Sequence, residues 1–417
     1  MEFMQEFPTS EIQHLTREGS DHCPIQVQCH ANQERYNKPF RFLNFWTNHE
    51  KFHEVVKENW KIEIQGSPFH IVQQKMKITK KVLTKWSKET YGNIFHRAAT
   101  MEDIVKVKEI QFEIPSTDRN RAELMKAEKD LRKFYQVEEE LWKQKSGMKW
   151  FIDGDRNTKF FHSYVKGRRR RLQLNEILDE QGVLLKDKKD IGEAAVKVFE
   201  QQFKESNFNA DYAMIDCIPK LITVEQQQRM DRTPMEEEVR EAVFSLNSDN
   251  ACGPDGFSGK NFQSCWEIIK EDFVKMVVAF FYGMELPRFV THTNLVLLPK
   301  KEQVRSFTDL RPISLSTYIN KVISKVIHGR LAEVLLEIIS KKQTGFMKGR
   351  SIAKNVLLAQ EIIRDINKRN QYHNIVVKLD MMKAYDRVSW VFLTKVMRRF
   401  GFTERIIDMV WRLMTNN

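Results

Sequence analysis

The sequence predicts a mixed fold, in which a long, basic, helical segment is followed by an α/β region. Between Phe40 and Trp150 the apolar residues recur at helical spacing, and from Met235 onward short apolar runs of strand length alternate with helices. The 417 residues have a hydrophobic content of 41%, which is enough for two or three domains that each bury a core. A generic disordered protein is therefore excluded.

The charge balance favours a polyanionic partner. The chain has 68 Lys and Arg against 56 Asp and Glu, a net charge of +12, which suits nucleic acid and suits an acidic membrane surface equally well. The longest apolar run, Met276 to Tyr282, is far shorter than the roughly 20 residues of a membrane-spanning helix. Glu2 and Glu6 stand where a secretory signal would be basic, so we expect an intracellular protein of the nucleus or cytoplasm that is not secreted.

The five cysteines are odd in number, scattered and without a Cys-x-x-Cys pair, and we interpret them as reduced thiols. A zinc site made by Cys23, Cys29, His22 and His30 is conceivable. The five residues between the two cysteines fit no common spacing of zinc ligands, however. The sequence thus favours reduced cysteines over a zinc site.

The elements of the first half follow from periodicity and capping. Ile25, Val27 and Cys29 alternate as in one edge strand. A first helix, ending near Gly92, is predicted by the apolar residues Phe69, Val72, Met76, Leu83 and Trp86. A second helix is expected to begin at a capping box at Thr100 and to stop before Pro115. A third helix is predicted by the apolar seam of Ala127, Leu131, Phe134 and Leu141.

Aromatic and basic residues follow this third helix. Phe160 and Phe161 precede a run of four arginines, Arg168, Arg169, Arg170 and Arg171, and this combination suits base stacking with phosphate contact. The alternative is that the phenylalanines enter a core while the arginines face water. The stretch from Leu172 to Leu185, divided by Gly182, then predicts a β-hairpin.

In the α/β region one carboxylate stands at a strand end. Strands are predicted at Thr293 to Pro299 and at Asn374 to Asp380, and a helix at Lys321 to Ile339. Asp380 ends the second strand, where a carboxylate can meet a metal rigidly. Phosphoryl transfer with two Mg²⁺ ions needs at least two carboxylates, and a lone aspartate after a strand is more often a turn or a helix cap.

Five segments occur in a set order, and together they change the interpretation of Asp380. They are Ala251-Cys-Gly-Pro-Asp-Gly-Phe257, Thr293-Asn-Leu-Val-Leu-Leu-Pro-Lys300, Phe307-Thr-Asp-Leu-Arg-Pro-Ile-Ser-Leu315, Gln343-Thr-Gly-Phe-Met-Lys-Gly-Arg-Ser351 and Lys378-Leu-Asp-Met-Met-Lys-Ala-Tyr-Asp-Arg-Val388. The set closely resembles the N-terminal half of the reverse transcriptase of LINE-type, non-LTR retrotransposons, particularly those of plants. The resemblance extends upstream to Trp150–His162 and to Phe40–Trp46, which look like the connector before the polymerase.

The resemblance implies three parts. Residues 1–35 would be the C-terminal remnant of an endonuclease, because Gly19-Ser-Asp-His-Cys-Pro-Ile25 resembles the closing motif of the metal-dependent endonuclease family, with Asp21 and His22 at the scissile phosphate. Residues 36–234 would be a basic helical connector. Residues 235–417 would be the fingers and the first part of the palm of a right-hand polymerase fold.

The resemblance also implies residue roles. Asp380 would be the first Mg²⁺-binding aspartate, and the carbonyl of Met381 a further ligand. Tyr385 would press on C2′ of the incoming deoxynucleoside triphosphate, and the backbone N–H groups of Lys383 and Ala384 would hold its phosphates. Residues expected at the nucleotide phosphates or the template are Lys300 and Arg311, and those expected along the template path are Gln343, Gly345 and Phe346. For Arg311 a structural salt bridge remains the alternative.

The departures from the family pattern set the functional expectation. The sequence contains no Pro-Gln and no Asp-Asp dipeptide, so the second catalytic carboxylate of the family is absent. We therefore expect a truncated, inactive fragment of an RNA-directed DNA polymerase whose partners are an RNA template and a DNA primer or target, without a membrane. The rival is a non-catalytic nucleic-acid-binding protein that uses Lys166 to Arg171 and the helices around Lys126 to Lys145. A third possibility is a chain that never folds stably; the oligomeric state is open.

Overall fold

The computed structural model describes residues 11–14, 25–28, 39–147, 158–204, 212–347, 349–364, 366, 368, 375–379 and 388–415. These residues are mostly helical and include three two-stranded antiparallel ribbons. The ribbons pair β1 (Glu11–His14) with β2 (Ile25–Gln28), β3 (Ile177–Leu178) with β4 (Leu184–Leu185), and β5 (Asn294–Pro299) with β6 (Leu310–Leu315).

The helices fall into two series. The first comprises α1 (Phe52–Trp60), α2 (Pro68–Thr90), α3 (Ile94–Glu113), α4 (Asp118–Ser146), α5 (Thr158–Leu172) and α6 (Lys188–Phe203). The second comprises α7 (Val224–Asp231), α8 (Glu236–Ser245), α9 (Gly259–Ser264), α10 (Trp266–Phe281), α11 (Arg288–Thr291), α12 (Tyr318–Ile338), α13 (Ile352–Arg364), α14 (Trp390–Phe400) and α15 (Glu404–Thr415). The long helical segment and the hairpin near Gly182 are confirmed, although each strand of that hairpin has only two residues.

The start predicted for the second helix was wrong. The helix α3 begins at Ile94, because the side chain of Asn93 accepts hydrogen bonds from the backbone N–H groups of Phe95 and His96. The hydroxyl of Thr100 instead donates to the carbonyl of His96, one turn back within the helix. An asparagine cap one turn after the preceding helix thus overrides the weaker capping box at Thr100.

One large core joins the first helices to the later ones. It is built by apolar residues of α1 and α2, of α8 to α10, of α12 and of α14 and α15, and includes Phe52, Leu83, Phe273, Ile323 and Ile406. The side chain of Trp60 also donates to the carboxylate of Asp272, which lies 2.7 Å from Lys75 Nζ. The first series of helices therefore packs directly on the second. The division at residue 235 stays a prediction.

A second, smaller core places the ribbon β5–β6. It contains Ile177, Ile191, Phe199, Phe307 and Leu310, with Leu297 packed against them. The backbone N–H of Leu178 donates to the carbonyl of Arg305, which ties the hairpin β3–β4 to the turn of the ribbon. One face of the ribbon is thereby covered, and its other face remains for solvent or a ligand.

The strand predicted up to Asp380 was wrong for the part that the structure describes. Residues 375–379 form no strand, and Ile375 and Leu379 are 82% and 89% exposed. A strand needs a neighbour for its backbone N–H and C=O groups, and no described strand lies beside this segment. The predictions for Asp380, Cys23, Cys29, His22 and His30 lie outside the described residues.

Candidate nucleotide and nucleic-acid site

The ribbon β5–β6 brings Lys300 and Arg311 together. Arg311 pairs with Leu298, and Lys300 follows Leu298 by two residues, so both cations belong to the face opposite to the one that packs on Phe307 and Leu310. Both side chains are exposed, and Lys300 Nζ donates to the carbonyl of Thr308 at 2.6 Å. In the described part of the chain Arg311 forms no ion pair, so the structural salt bridge considered for it is not found there.

The turn between these strands is held by Asp309. Its carboxylate accepts hydrogen bonds from the backbone N–H groups of Arg305 and Ser306 and lies 2.9 Å from Lys301 Nζ. The hydrogen bond with Lys301, together with these N–H groups, lowers the pKa of Asp309 to about 2. The aspartate is therefore ionised at neutral pH and fixes the turn beside Lys300.

The loop that follows α12 is held by Arg350, which the sequence analysis did not single out. Its guanidinium donates to the carbonyls of Ser340 and Gln343 at 2.6 and 2.7 Å. It also donates to the carbonyls of Leu336 and Ile339, both at 3.2 Å, which are near the C-terminal end of α12. A single guanidinium group thus binds the free carbonyls at the end of α12 and holds the loop against that helix end.

Asn355 of α13 holds the same loop from the other side. Its amide donates to the carbonyl of Lys342 at 2.6 Å and to the hydroxyl of Thr344 at 3.0 Å. The amide of Gln343 turns inward to the carbonyl of Gly345. Arg350 lies beyond the last turn of α12 and before α13, so no local capping signal in the sequence could have identified its role.

Phe346 is the exposed tip of this loop. Its side chain is 93% exposed, and its φ of 63° lies in the left-handed region that residues other than glycine rarely adopt. An aromatic ring that is presented in this way, on a loop fastened by Arg350 and Asn355, offers a surface on which a base can stack. The three residues predicted for the template path therefore lie on one short, hydrogen-bonded loop.

The Gly-Pro-Asp-Gly segment is a packing junction. A side chain at Gly256 would collide with the carbonyl oxygen of Phe40, and one at Gly253 would come within 2.7 Å of the backbone at Thr317. The N–H of Phe42 donates to the carbonyl of Gly256, so the segment is held between residues 40–42 and the start of α12. Glycine is required here because two backbones meet.

Asp255, within this junction, carries a perturbed carboxylate. Its Oδ1 accepts from the N–H of Phe257, while its Oδ2 is buried without a hydrogen-bond partner in the described structure. Burial raises the pKa of Asp255 to about 6, although Lys80 opposes that rise. Burial likewise lowers the pKa of Lys321 and raises that of the Cys252 thiol.

The arginine run lies on the helix α5 rather than in an extended segment. Consecutive helical residues are about 100° apart, so four arginines in sequence cannot share one face. Arg168 donates to the carbonyl of Ser146 at 3.2 Å, while Arg169 and Arg171 are exposed. The side chain of Arg170 is outside the described part. Phe161 is 2% exposed and Phe160 is 40% exposed, so only one phenylalanine enters a core.

The remaining site residues of the sequence analysis cannot be placed. Asp21, His22, Asp380, Met381, Lys383, Ala384 and Tyr385 lie outside the described residues. Among the side chains that are described, no three from His, Cys, Asp and Glu converge as metal ligands. None of the described helices combines the length and the apolar character needed to span a bilayer.

Comparison with known proteins gives the family of the C-terminal part. Residues 298–417 match the family described as reverse transcriptase (RNA-dependent DNA polymerase). The uncharacterized 149 kDa protein of transposon TX1 from Xenopus laevis is 27% identical over 265 residues, which are 63% of this chain and 20% of that protein. The retrovirus-related Pol polyprotein from the type-2 retrotransposable element R2DM of Drosophila melanogaster is 24% identical over 177 residues, covering 42% and 16% respectively.

A third relative is the retrovirus-related Pol polyprotein from the type-1 retrotransposable element R2 of Nasonia vitripennis, 24% identical over 178 residues, which are 40% of this chain and 17% of that protein. The chain thus matches a fifth or less of the length of these curated relatives. It carries a reverse transcriptase domain and is related to proteins of non-LTR retrotransposons, as the ordered motifs predicted. Its likeness to plant elements in particular, and the endonuclease remnant, stay predictions.

Proposed function

We propose that this reverse transcriptase domain supplies the fingers and the first metal-binding carboxylate of an RNA-directed DNA polymerase of a non-LTR retrotransposon. The observation that carries the proposal is the match of residues 298–417 to the reverse transcriptase family. The joint exposure of Lys300 and Arg311 on one face of β5–β6 supports it, because exposed lysine and arginine side chains can bind the phosphates of a nucleotide. The loop that presents Phe346 supports contact with a template strand.

In this proposal the substrates are a deoxynucleoside triphosphate, an RNA template and a DNA primer. Lys300 and Arg311 bind nucleotide phosphates or the template, and Gln343, Gly345 and Phe346 line the template path. Tyr385 excludes the ribose 2′-OH, while the N–H groups of Lys383 and Ala384 hold the triphosphate. Divalent metal ions, when bound, stabilise the charge that develops during phosphoryl transfer.

The metal centre is incomplete in these 417 residues. Asp380 and the carbonyl of Met381 are oxygen ligands of the kind that Mg²⁺ prefers. The sequence holds no Asp-Asp dipeptide for the second carboxylate of the family, so the ligands present fit one ion better than two. We therefore propose that this 417-residue chain, by itself, does not extend a primer.

A chimaera tests both statements. The segment that follows the matched region in the TX1 relative would be joined after Asn417, and incorporation of deoxynucleotides on an RNA template would be measured. We expect no extension by the chain alone and extension by the chimaera that falls at least about 100-fold in Asp380→Asn, because a metal ligand is lost. The chimaera with Asp190→Asn, an exposed aspartate in the first turn of α6, is the matched control and should keep its activity.

Two outcomes would contradict the proposal. Extension by the chain alone that depends on Asp380 would show that one carboxylate motif suffices. A folded chimaera whose activity is indifferent to Asp380→Asn would remove that residue from the metal site. Greater incorporation of ribonucleotides by Tyr385→Val would support the assigned gate, and unchanged discrimination would count against it.

A second function, nucleic-acid binding without catalysis, is favoured by the exposure of α5. Arg169 and Arg171 are exposed, and Phe160 stacks on Tyr164 with 6.4 Å between the ring centroids. We propose Lys166 to Arg171 as a phosphate-contacting surface. The helix around Lys126 to Lys145 is less suited, because Lys133 and Lys143 are paired with Asp130 and Glu139.

A further inference from the structure

The helix α2 has an unusual charge distribution. Its 23 residues include six lysines and one glutamate. At about 100° per residue, Lys77, Lys81 and Lys88 lie within about 40° of one another, with Lys85 about 40° further round. All four are exposed. We call these four residues the lysine stripe.

The opposite side of α2 is fixed in the main core. Phe69, Val72, Met76 and Leu83 are each less than 9% exposed. The helix also packs on α1 and α10, and Lys75, near the border of the buried side, is paired with Asp272. The lysine stripe is therefore held in a defined position on a rigid helix.

The lysine stripe is not neutralised by its surroundings. Of the four lysines of the stripe, Lys85 is paired with Glu89 at 3.9 Å. In the described structure the other three, Lys77, Lys81 and Lys88, have no ion-pair partner. The helix α4 differs, because it contains seven acidic residues beside its eight basic ones. Like charges four residues apart repel by a few tenths of a kcal/mol per pair, so the lysine stripe is destabilising unless an anion meets it.

We propose that the lysine stripe of α2 binds the phosphate backbone of a nucleic acid without regard to sequence. From Lys77 to Lys88 the helix rises about 16 Å, a length that allows contact with several successive phosphates of one strand. Lysine ammonium groups are mobile point charges that contact phosphates without reading bases. The stripe is separate from Lys300, Arg311 and the arginines of α5.

The chemistry of this face favours nucleic acid over a membrane surface. The residues that share the face with the lysines are His70, Gln74 and Thr84, which are polar. A helix that lies on a membrane inserts an apolar face among the lipids, whereas the apolar face of α2 is buried in the protein. Only the choice of RNA as the probe rests on the proposed function.

The test compares two triple variants of the full chain with equal charge. In Lys77→Gln/Lys81→Gln/Lys88→Gln three of the four lysines of the stripe are removed, and in Lys106→Gln/Lys189→Gln/Lys204→Gln three exposed lysines that are already paired with carboxylates are removed. Binding of a fluorescent single-stranded RNA would be measured between about 50 and 200 mM salt. Both variants lose three positive charges, so a difference between them reports position and not net charge.

The affinity for RNA decreases with salt, and we expect this dependence to become shallower in the stripe variant. The magnitude of the slope of log affinity against log salt should decrease by about 2, at ~0.7 for each lost contact with a single strand. The control variant should change by less than half of that. Single changes at Lys77, Lys81 and Lys88 should each lower the slope by about 0.7, which keeps the test open if the triple variant misfolds.

Equal changes in the two triple variants, or no change in the stripe variant, would overturn the proposal. Loss of binding to phosphatidylserine vesicles with unchanged RNA binding would overturn it in favour of a membrane surface. Primer extension by the chimaera does not enter this readout. A failure of the stripe is thus distinguishable from a failure of the proposed polymerase function.

Discussion

Two helices of the C-terminal half, α12 and α13, have similar apolar patterns and opposite environments. The first buries eight residues, including Val322, Ile323 and Val326, and the second buries none. Ile352, Leu357 and Ile363 of α13 are all more than half exposed. The comparison shows that an apolar stripe predicts a helix. The free energy by which the stripe stabilises the fold depends on how much of it other residues cover.

The two helices also differ in their polar anchors. In α12 the guanidinium of Arg330 meets both carboxylate oxygens of Glu238 at 2.7 Å, and it donates to the carbonyls of Met230 and Arg232. It also lies over the ring of Phe281. The region around α13 is instead held by Arg350 and Asn355, whose bonds go to exposed loop carbonyls and a hydroxyl. One region is thus held by burial, and the other chiefly by hydrogen bonds.

The largest expected effect is a difference in the free energy of unfolding between a variant of the main core and a variant of α13. Phe273→Ala empties a fully buried position of the main core and should lower the free energy of unfolding by about 3–5 kcal/mol. Leu357→Ala, on the exposed face of α13, should change it by less than about 0.5 kcal/mol. Urea unfolding followed by circular dichroism gives both values. A loss above about 2 kcal/mol in Leu357→Ala would show that α13 is covered after all.

An intermediate effect concerns Asp255 and pH. Because its pKa is raised from an unfolded value near 3.9 to about 6, the folded state holds the proton more tightly. This contribution to stability is full below pH ~3.9 and is lost as the pH rises through about 6, a change on the order of 1–3 kcal/mol. Asp255→Asn should flatten that part of the stability profile.

The readout is urea unfolding of the parent and of Asp255→Asn at several pH values across this window. Asp231→Asn, at the end of α7, is the matched control because it removes one carboxylate elsewhere in the fold. An unchanged slope in Asp255→Asn would show that Asp255 is not the group that titrates. The same loss of slope in the control would attribute the effect to overall charge.

The smallest expected effect tests the hydrogen-bonded loop. Arg350→Lys removes the planar fork that joins the carbonyls of Gln343 and Leu336, and should cost about 1 kcal/mol of global stability. Amide hydrogen exchange at residues 340–347 should rise while that of α12 stays protected. Lys354→Gln, on the surface of α13, should leave the exchange of the loop unchanged. Unaltered exchange in Arg350→Lys would show that the loop does not depend on this side chain.

Local sequence signals predicted much of the helical half. Caps and breakers set the ends of α2 and α4, since Ser67 and Thr117 accept hydrogen bonds from the first turns and Gly147 adopts the left-handed conformation that ends a helix. The start of α3 was misplaced because two capping signals, Asn93 and Thr100, lie about two turns apart and the asparagine cap begins the helix. The ordered motifs also identified the reverse transcriptase domain, because catalytic chemistry restricts residue types at fixed positions in the chain.

The sequence by itself determined the likeness to reverse transcriptases, the helical character of the first half and the presence of Lys300 and Arg311 in two of the ordered motifs. Only the tertiary structure decided that the two series of helices share one core, that Arg350 fastens the loop bearing Phe346, and that residues 375–379 have no partner among the described strands. The physical reason is the distance along the sequence over which each effect acts. Periodicity and capping act over one or two turns, whereas burial and strand pairing depend on residues distant in sequence that only the fold brings together.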